Sequence, residues 1–536
     1  MRVFARTSFI RLLFAFIVLF CCRPALAQNV GTISGTVKDA QGLSIPGATI
    51  ALANRVSQAS QSAVSDEQGR FTLNNVAYGT YVLNVSLSGF TSVEQVIEIR
   101  STVPVTREVL LKIGGVSETV NVSADSLLET SSTGSHIDIG AAMIDQLPSA
   151  TPSKQLSAML LSAPGFIPSQ NGRVHVRGSH GQIQYVVDGV PLTDEYSEAF
   201  ANPLDLRYVK SAEVMTGGIP AEYGGKLAAV VDITSKSGLD EPKAVFGNAS
   251  VNIGAFGAID GGATIGGRIT PRVGYFLSGG GNRTDRYLDS PTTDNFHNAG
   301  HAQRFTGKVE FRPTDTDFVR AVVAVDGSRF ENPNRPDAQA AGVDVTQQLI
   351  DNSQTVTWLH QFGQAAALDV VAYRRSATAD LDALNALPLA ATQHRTLDHQ
   401  GGNAAISATN GINRFKAGVQ YDRNPVAEQF RMTGNDAGNP ESLPFDPRRG
   451  GTPFVFDGSQ VGQNLGVFVQ DTLSPIPDLH INVGVRFDRY RLLVEETAVS
   501  PRLGIAYHVH DSGTVLRGSY SRIFMPPFSE RLKVSF

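Results

Sequence analysis

Beyond residue 27 this chain contains no cysteine. Both cysteines, Cys21 and Cys22, fall near the start, so disulfide scaffolds, thiolate metal sites and cysteine nucleophiles are excluded from the rest of the chain. Positive charge is not in excess either. The 536 residues carry a formal charge of −5, and removing the four arginines of the first 27 residues takes it to −9. No nucleic-acid partner is therefore expected, because phosphate backbones require a basic face. Long apolar runs are missing after residue 28, so no helix of the roughly 20 apolar residues that span a bilayer is expected. The chain beyond residue 28 is either water-soluble or crosses a membrane as a closed barrel, the other fold that satisfies every backbone group in lipid.

Signatures of catalysis are also absent. The sequence has no His-Glu-x-x-His zinc pattern, no Gly-x-Ser-x-Gly elbow and no Gly-x4-Gly-Lys-Ser/Thr phosphate loop, so neither an enzyme nor a cofactor is expected. His508 and His510 flank Val509 and would share a strand face. Such a pair is more often simply polar than metal-binding, and no metal site is assigned.

The first 27 residues do contain one short apolar run, Leu12 to Cys22, after Arg2, Arg6 and Arg11 and before Ala25-Leu26-Ala27. That three-part layout is a cleavable secretory signal, too short for a membrane anchor.

From Gly31 to Leu111 the chain reads as seven short strands, the pattern of a small β-sandwich. Tyr81, Leu83, Val85 and Leu87 alternate with Val82, Asn84, Ser86 and Ser88, and turn chemistry sits at Asp39 to Gly42, Ile45 to Ala48 and Asp66 to Gly69. The phrases GTISGTVKDAQGLSIPGATIAL and SDEQGRFTLNNVAYGTYVLNVSLSGF resemble the carboxypeptidase regulatory-like domain, of carbohydrate-binding-like fold. The resemblance implies an accessory module in residues 28–113, not a peptidase. A docking or structural role and carbohydrate binding are both open.

A linker at 114–136 comes next. Within it, Glu118, Thr119, Val120, Asn121 and Val122 form a β-prone stretch, suited to adding a strand to a partner's sheet edge or to closing the sandwich as a last strand. It resembles the TonB box, and the resemblance implies a TonB-type periplasmic energy transducer as partner.

Residues 137–238 change to a glycine-rich α/β pattern. Leu156, Met159, Leu160 and Leu161 fall at helical spacing, with Pro164-Gly165 as the stop. Strands are expected at 173–178, 184–191, 209–214 and 229–234. Asp188-Gly189 suits a tight turn with positive φ, and Gly217-Gly218 and Gly224-Gly225 suit close backbone approach. HVRGSHGQIQYVVDGVPL and VKSAEVMTGGIPAEYGGKLAAVVDITSKSG resemble the plug domain of TonB-dependent receptors. The residues carrying that resemblance are Arg177, Gly178, Asp188, Gly189, Pro191, Gly217, Gly218, Tyr223, Gly224 and Gly225. Asp188 and Arg177 can fix loops by charge-assisted hydrogen bonds or contact a ligand; the first role is the expectation.

Residues 239–536 alternate strand after strand. Leu479, Ile481, Val483, Val485 and Phe487 oppose His480, Asn482, Gly484, Arg486 and Asp488. Phe415 to Asp422 and Phe305 to Arg312 repeat the pattern. Charges and glycines recur on the polar face, as expected where it lines a wet interior and the apolar face meets lipid. The turn at Ser474 to Asp478 is short, whereas Asn332 to Gln347 and Pro425 to Gln463 are expected to be long loops. The glycines from Gly254 to Gly281 are expected to bend strands. VSPRLGIAYHV and GSYSRIFMPPF resemble barrel strands of the same receptors.

The expected fold is mainly β: an N-terminal sandwich, an α/β plug and an antiparallel transmembrane β-barrel. About 13 strands can be counted after Gly238, where a barrel enclosing a plug is expected to need about 22, so the barrel is expected to be incomplete. Phe536, on an alternating stretch with Phe528, Leu532 and Val534, supports the competing view of a complete short barrel. The resemblance implies import of an extracellular ligand across the outer membrane, with outer-membrane lipid around the barrel. The ligand class stays open among siderophore, oligosaccharide, peptide and cobalamin. A surface carbohydrate-binding protein or adhesin without transport, and a signal-transducing receptor, are the rival readings.

Overall fold

The computed structural model describes residues 31–54, 60–76, 79–99, 103–112, 132–147, 155–168, 174–180, 183–192, 204–226, 228–240, 243–492 and 494–526. The signal-like segment, the strand-addition candidate Glu118 to Val122 and the stretch from Phe528 to Phe536 lie outside the described residues.

The N-terminal unit has the seven expected strands: β1 (Gly31–Asp39), β2 (Thr49–Ala53), β3 (Ser60–Val64), β4 (Arg70–Val76), β5 (Gly79–Ser86), β6 (Val93–Ile99) and β7 (Val105–Leu111). They form two sheets, β4-β1-β7 and β3-β2-β5-β6. Ile33, Val37, Phe71, Leu83, Val85, Ile97 and Val109 meet between them in one apolar core. Full burial of each such side chain contributes about 1.5 to 3 kcal/mol. The turns work as their sequences suggest: the Asp39 carboxylate accepts from the backbone N–H groups of Gln41 and Leu43, and Asp66 does the same for Gln68 and Arg70.

The second unit contains β8 (Ser135–Gly140), α1 (Ala141–Asp145), α2 (Gln155–Leu161), β9 (Phe166–Pro168), β10 (Val174–Val176), β11 (Ser179–His180), β12 (Ile183–Val187), β13 (Val190–Leu192), β14 (Val209–Gly217) and β15 (Ala229–Ser235). Its main sheet has the order β13-β12-β15-β14-β8. β12 and β15 run parallel and the other neighbours antiparallel. Every residue of the central β15 is buried. Leu156, Met159 and Leu160 of α2 close one face of that sheet, while Leu161 points outward. The strands β8, β9 and β11 and the short α1 are elements that the periodicity did not reveal; β9 and β11 hold three and two residues, and α1 lacks a side-chain cap and is too short to show a period.

The remainder is one antiparallel sheet of thirteen strands in sequence order: β16 (Phe246–Ile253), β17 (Ile259–Thr270), β18 (Val273–Thr284), β19 (Gly300–Phe311), β20 (Asp317–Glu331), β21 (Thr346–Phe362), β22 (Ala366–Ala383), β23 (Leu389–Asn410), β24 (Asn413–Gly434), β25 (Phe454–Ile476), β26 (Leu479–Arg491), β27 (Glu495–Val509) and β28 (Thr514–Ser521). A short helix, α3 (Pro336–Ala340), sits between β20 and β21. Among the described residues no pairing joins β16 to β28, so the sheet is open, as the strand count leads one to expect.

Its faces are inverted relative to a soluble protein. On β26, Val485 and Phe487 are 44% and 39% exposed, while Arg486 and Asp488 are 5% and 9% exposed. The same holds for Phe415, Val419 and Tyr421 against Lys416 and Asp422 on β24. A continuous apolar outer face over charged inner positions is the pattern of a transmembrane barrel, whose outer surface meets hydrocarbon. No helix among the described residues is long and apolar enough to cross a membrane.

Connections alternate in length. Two residues join β17 to β18, β23 to β24 and β25 to β26, whereas 285–299, 332–345 and 435–453 are long. The expected loop from Pro425 to Gln463 is mostly strand: Pro425 pairs with Val461 and Met432 with Phe454, leaving 435–453 as loop. β24 and β25 hold 22 and 23 residues, against the roughly 9 to 11 that cross a bilayer. The sheet therefore projects past the apolar band, and outward polar residues such as Arg423 and Gln429 make that projection look like loop.

Candidate functional site

The plug unit docks on the polar inner face of the thirteen-stranded sheet, and the docking surface holds most of the motif residues. The hairpin β12–β13 turns at Asp188-Gly189, with φ of 50° and 83°, as expected of a two-residue turn with both central residues left-handed. Its geometry aims the Asp188 carboxylate at the barrel. Asp188 accepts from the backbone N–H of Ser235 at 3.0 Å and from the Ser235 hydroxyl. Arg320 Nη1 of β20 lies 2.7 Å away and Lys308 Nζ of β19 lies 3.6 Å away. Glu310 completes the cluster, bridging to Arg320 and Lys308 and accepting from the Ser237 hydroxyl. All four charged side chains are buried, two of each sign. Burial alone would raise the Asp188 carboxyl, but Arg320, Lys308 and the two Ser235 donors hold it well below the usual carboxylate range.

A second contact is made by the loop from Ile219 to Gly225. Arg502 of β27 donates to the carbonyls of Ile219, Pro220 and Tyr223, and Arg486 of β26 to that of Glu222. The Glu222 carboxylate pairs with Lys416 and accepts from Gln470. The Tyr223 hydroxyl donates to Asp232 at 2.7 Å. Burial, with a smaller contribution from Glu222, pushes the Asp232 carboxyl up to about 7, against the opposing Tyr223 hydrogen bond and Lys416 charge. Burial likewise pushes the Tyr223 phenol up. Further along, Asn403 of β23 donates to the Gly189 carbonyl at 2.7 Å.

The remaining motif residues have local tasks. Arg177, itself at φ 46°, donates to the Thr216 carbonyl and hydroxyl, and Gly178 continues that turn at φ 80°. Pro191 sits on the edge strand β13, where a missing N–H is tolerated, and lines a cavity of about 110 Å³ with Glu222, Tyr223, Asp369 and Lys416. The four glycines expected to permit close backbone approach behave differently. Gly218 does so: a Cβ there would lie 2.6 Å from Gly134 Cα. Gly217 has ordinary room. Gly224 gives way to the guanidinium of Arg486 rather than to backbone, and Gly225 adopts φ 85°.

Two other expectations are corrected here. Gly262 and Gly280, expected only to bend strands, leave the space in which the Arg207 guanidinium lies. Arg207 pairs there with Asp205 and, at 3.4 Å, with Asp260 of β17. His510 begins a 3-10 turn and so does not share a strand face with His508, whose Nδ1 lies 3.2 Å from Asp478.

Arg207, Glu222, Lys308, Glu310, Arg320, Lys416 and Arg502 were not identified from sequence as site residues. Their signal was the charge recurring at inward positions, which does not by itself show which charges meet the plug. On the side of the long connections, the strand ends around Gln347, Gln393, Phe430 and Phe456 border an open cavity of about 640 Å³.

Comparison with known proteins accounts for nearly the whole described chain. The model of the TonB-dependent receptor plug domain matches residues 130–231, and that of the TonB-dependent receptor-like β-barrel matches residues 268–534. The chain belongs to the TonB-dependent receptors. Its N-terminal unit matches the carboxypeptidase regulatory-like domain over residues 32–112. Among curated proteins, this receptor is similar to the TonB-dependent transporter Oar of Myxococcus xanthus, 27% identical over 227 residues, covering 40% of this chain and 21% of that one. Among solved structures it resembles the ferric enterobactin receptor of Pseudomonas aeruginosa, with TM-score 0.58 and 15% identity, over 77% of this chain and 65% of that one. The siderophore receptor PiuA of Acinetobacter baumannii gives 0.55 and 12%, over 74% and 65%. At these identities the solved structures speak for the fold alone. The receptor matches about a fifth of the length of the curated relative and just under two thirds of the solved ones.

Proposed function

We propose that this receptor sits in an outer membrane, binds an extracellular ligand on the side of its long connections, and passes it inward by a plug movement powered from the inner membrane. The observation that carries the proposal is the plug held on the charged inner face of a sheet whose outer face is apolar. The plug is held there by buried charge pairs, so moving it requires work on the seam. The cluster of Asp188, Lys308, Glu310 and Arg320 is neutral overall and each charge has an opposite charge within 4.0 Å, which suits a contact that holds at rest and can re-form. TonB-type strand addition at Glu118 to Val122, just ahead of β8, would place the pull on the edge of the plug sheet. The cavity of about 640 Å³ beside the long connections is the candidate entry region. Its lining mixes Arg329, Gln348, Asp380, His394 and Asp457, a polar set compatible with a siderophore chelate, an oligosaccharide or a peptide.

The test is binding and uptake of labelled candidate ligands by cells expressing the full chain, with and without collapse of the inner-membrane proton gradient. Binding is expected to persist and uptake to fall to background when the gradient is removed. Val120→Pro, which deletes a backbone donor needed for strand addition, is expected to do the same. Uptake that survives both treatments overturns the proposal in favour of a protein that binds without energised transport.

A further inference from the structure

A cluster at the outer edge of the plug sheet takes no part in the seam between plug and barrel. β8 is the edge strand, and its register with β14 sets Asp138 directly opposite Glu213 and His136 opposite Met215. His136 and Asp138 are two residues apart and so share a face, and Glu213 lies beside the first diagonally and beside the second directly. One ligand atom from each of the three comes within 4.8 Å of the others, and all three side chains are half-buried. Among the described residues no other three such side chains are brought this close. We propose that His136, Asp138 and Glu213 form a site for a divalent transition-metal ion, which staples the first strand of the plug to its neighbour.

Electrostatics favours a cation at this point. Carboxylates directly opposite one another across a strand pair destabilise it, and Asp138 and Glu213 stand in that relation. A bound divalent ion converts that repulsion into attraction. The supporting contacts suit a metal site as well. Ser132 Oγ lies 3.1 Å from His136 Nδ1 and orients the ring. Asn54 Nδ2 of the sandwich donates to Asp138 Oδ2 at 3.2 Å. Outer contacts of this kind fix ring orientation and carboxylate direction in metal sites.

One imidazole and two carboxylates suit zinc or manganese, and they fall short of the six to eight oxygens that calcium takes. Ligand bonds of about 2.0 to 2.2 Å require the three side chains to draw in by roughly an ångström, leaving a further position for water.

The location gives the site its consequence. Asn54 belongs to the sandwich, and the backbone carbonyl of Ser132 accepts from Arg517 Nε of β28 at 2.9 Å. The ion would sit where all three units meet, on the strand that a pull through the preceding linker would peel first. Metal occupancy would then set how firmly that strand is held.

The experiment uses the full chain in detergent, stripped with a chelator and titrated calorimetrically with Zn2+ alone and with Mn2+ alone. One ion per chain is expected to bind, and at a hundredfold excess over Kd the unfolding temperature should rise by about 3 °C. His136→Asn and Glu213→Gln, which keep side-chain size, should each weaken binding at least about tenfold and remove the thermal shift. His360→Asn, at a separate His–Asp pair, should change neither. Electrophoresis without heating shows whether each variant is folded, and Glu213→Gln alone suffices if the histidine variant is not. Absence of binding by the unaltered protein, or binding that survives in a folded Glu213→Gln protein, overturns the proposal.

Discussion

The N-terminal sandwich and the barrel sheet are written with the same two-residue alternation, yet one is the other turned inside out. In β5 the apolar set Tyr81, Leu83 and Val85 is buried; in β26 the apolar set Val483, Val485 and Phe487 is exposed and Arg486 and Asp488 are buried. Periodicity fixes which residues share a face and says nothing about which face meets solvent. What decides is the company the polar residues keep. Around β5 they are the half-buried Asn84 and Ser86, whereas on β19, β20 and β26 they are Lys308, Glu310, Arg320, Arg486 and Asp488, buried against the plug and one another.

The contrast can be broken most severely in the sandwich. Leu83→Asp places an unpaired charge in an apolar core and is expected to cost more than about 4 kcal/mol, seen as loss of the N-terminal domain's protection from protease while the barrel stays heat-modifiable. Next comes the seam. Arg320→Ala leaves Asp188 and Glu310 short of a partner in a buried cluster, an expected loss of about 3 to 5 kcal/mol from plug docking, measured as denaturant-induced release of the plug. Replacing the whole cluster with apolar residues of matched size should cost much less, which separates the loss of one partner from the worth of the network.

On the outer face, Val485→Lys is expected to destabilise the barrel by about 2 to 4 kcal/mol if it lies near the bilayer midplane. The same change at an exposed position of a soluble sandwich would be nearly neutral. Equilibrium unfolding in lipid vesicles measures it. The last effect is a pH slope. Asp232 has a carboxyl raised from 3.8 to about 7 in the folded protein, so between these values the folded state keeps a proton that the unfolded chain has lost. Stability therefore falls as pH rises through this window, at up to about 1.4 kcal/mol per pH unit, and levels off above it. Asp232→Asn should flatten the slope in unfolding curves taken from pH 4 to pH 8.

Much of the fold was legible because it is local. The Asp188-Gly189 turn needed only two residues between apolar runs, the end of α2 needed only Pro164-Gly165, and alternation located the barrel strands. The partners of Asp188 were not legible. Lys308 and Arg320 lie more than a hundred residues away, on strands whose inward positions mix Arg304, Thr306 and Asp326 with Phe318, Val322 and Ala324, so nothing singles them out before docking. Gly262 and Gly280 were legible as glycines but not as the bed of Arg207, which belongs to another unit. The extension of β24 and β25 was missed for a solvent reason: above the apolar band the outward positions of β24 turn polar, at Gln429 and Arg431, while Val426, Phe430 and Met432 lie on the other face, so the apolar-outward pattern is lost while the hydrogen-bonded ladder continues.

The measurement that tests the central claim most directly is a cysteine scan of β26. Because the only cysteines of the sequence are Cys21 and Cys22, single cysteines at Ile481, Asn482, Val483, Gly484, Val485, Arg486 and Phe487, in protein starting after residue 27, can be spin-labelled without background. In lipid vesicles, labels at 481, 483, 485 and 487 should be relaxed by oxygen dissolved in the bilayer, and those at 482, 484 and 486 should not, a strict period of two. Uniform access to a water-soluble relaxation agent along the strand would contradict a membrane-spanning sheet with the plug on its inner face.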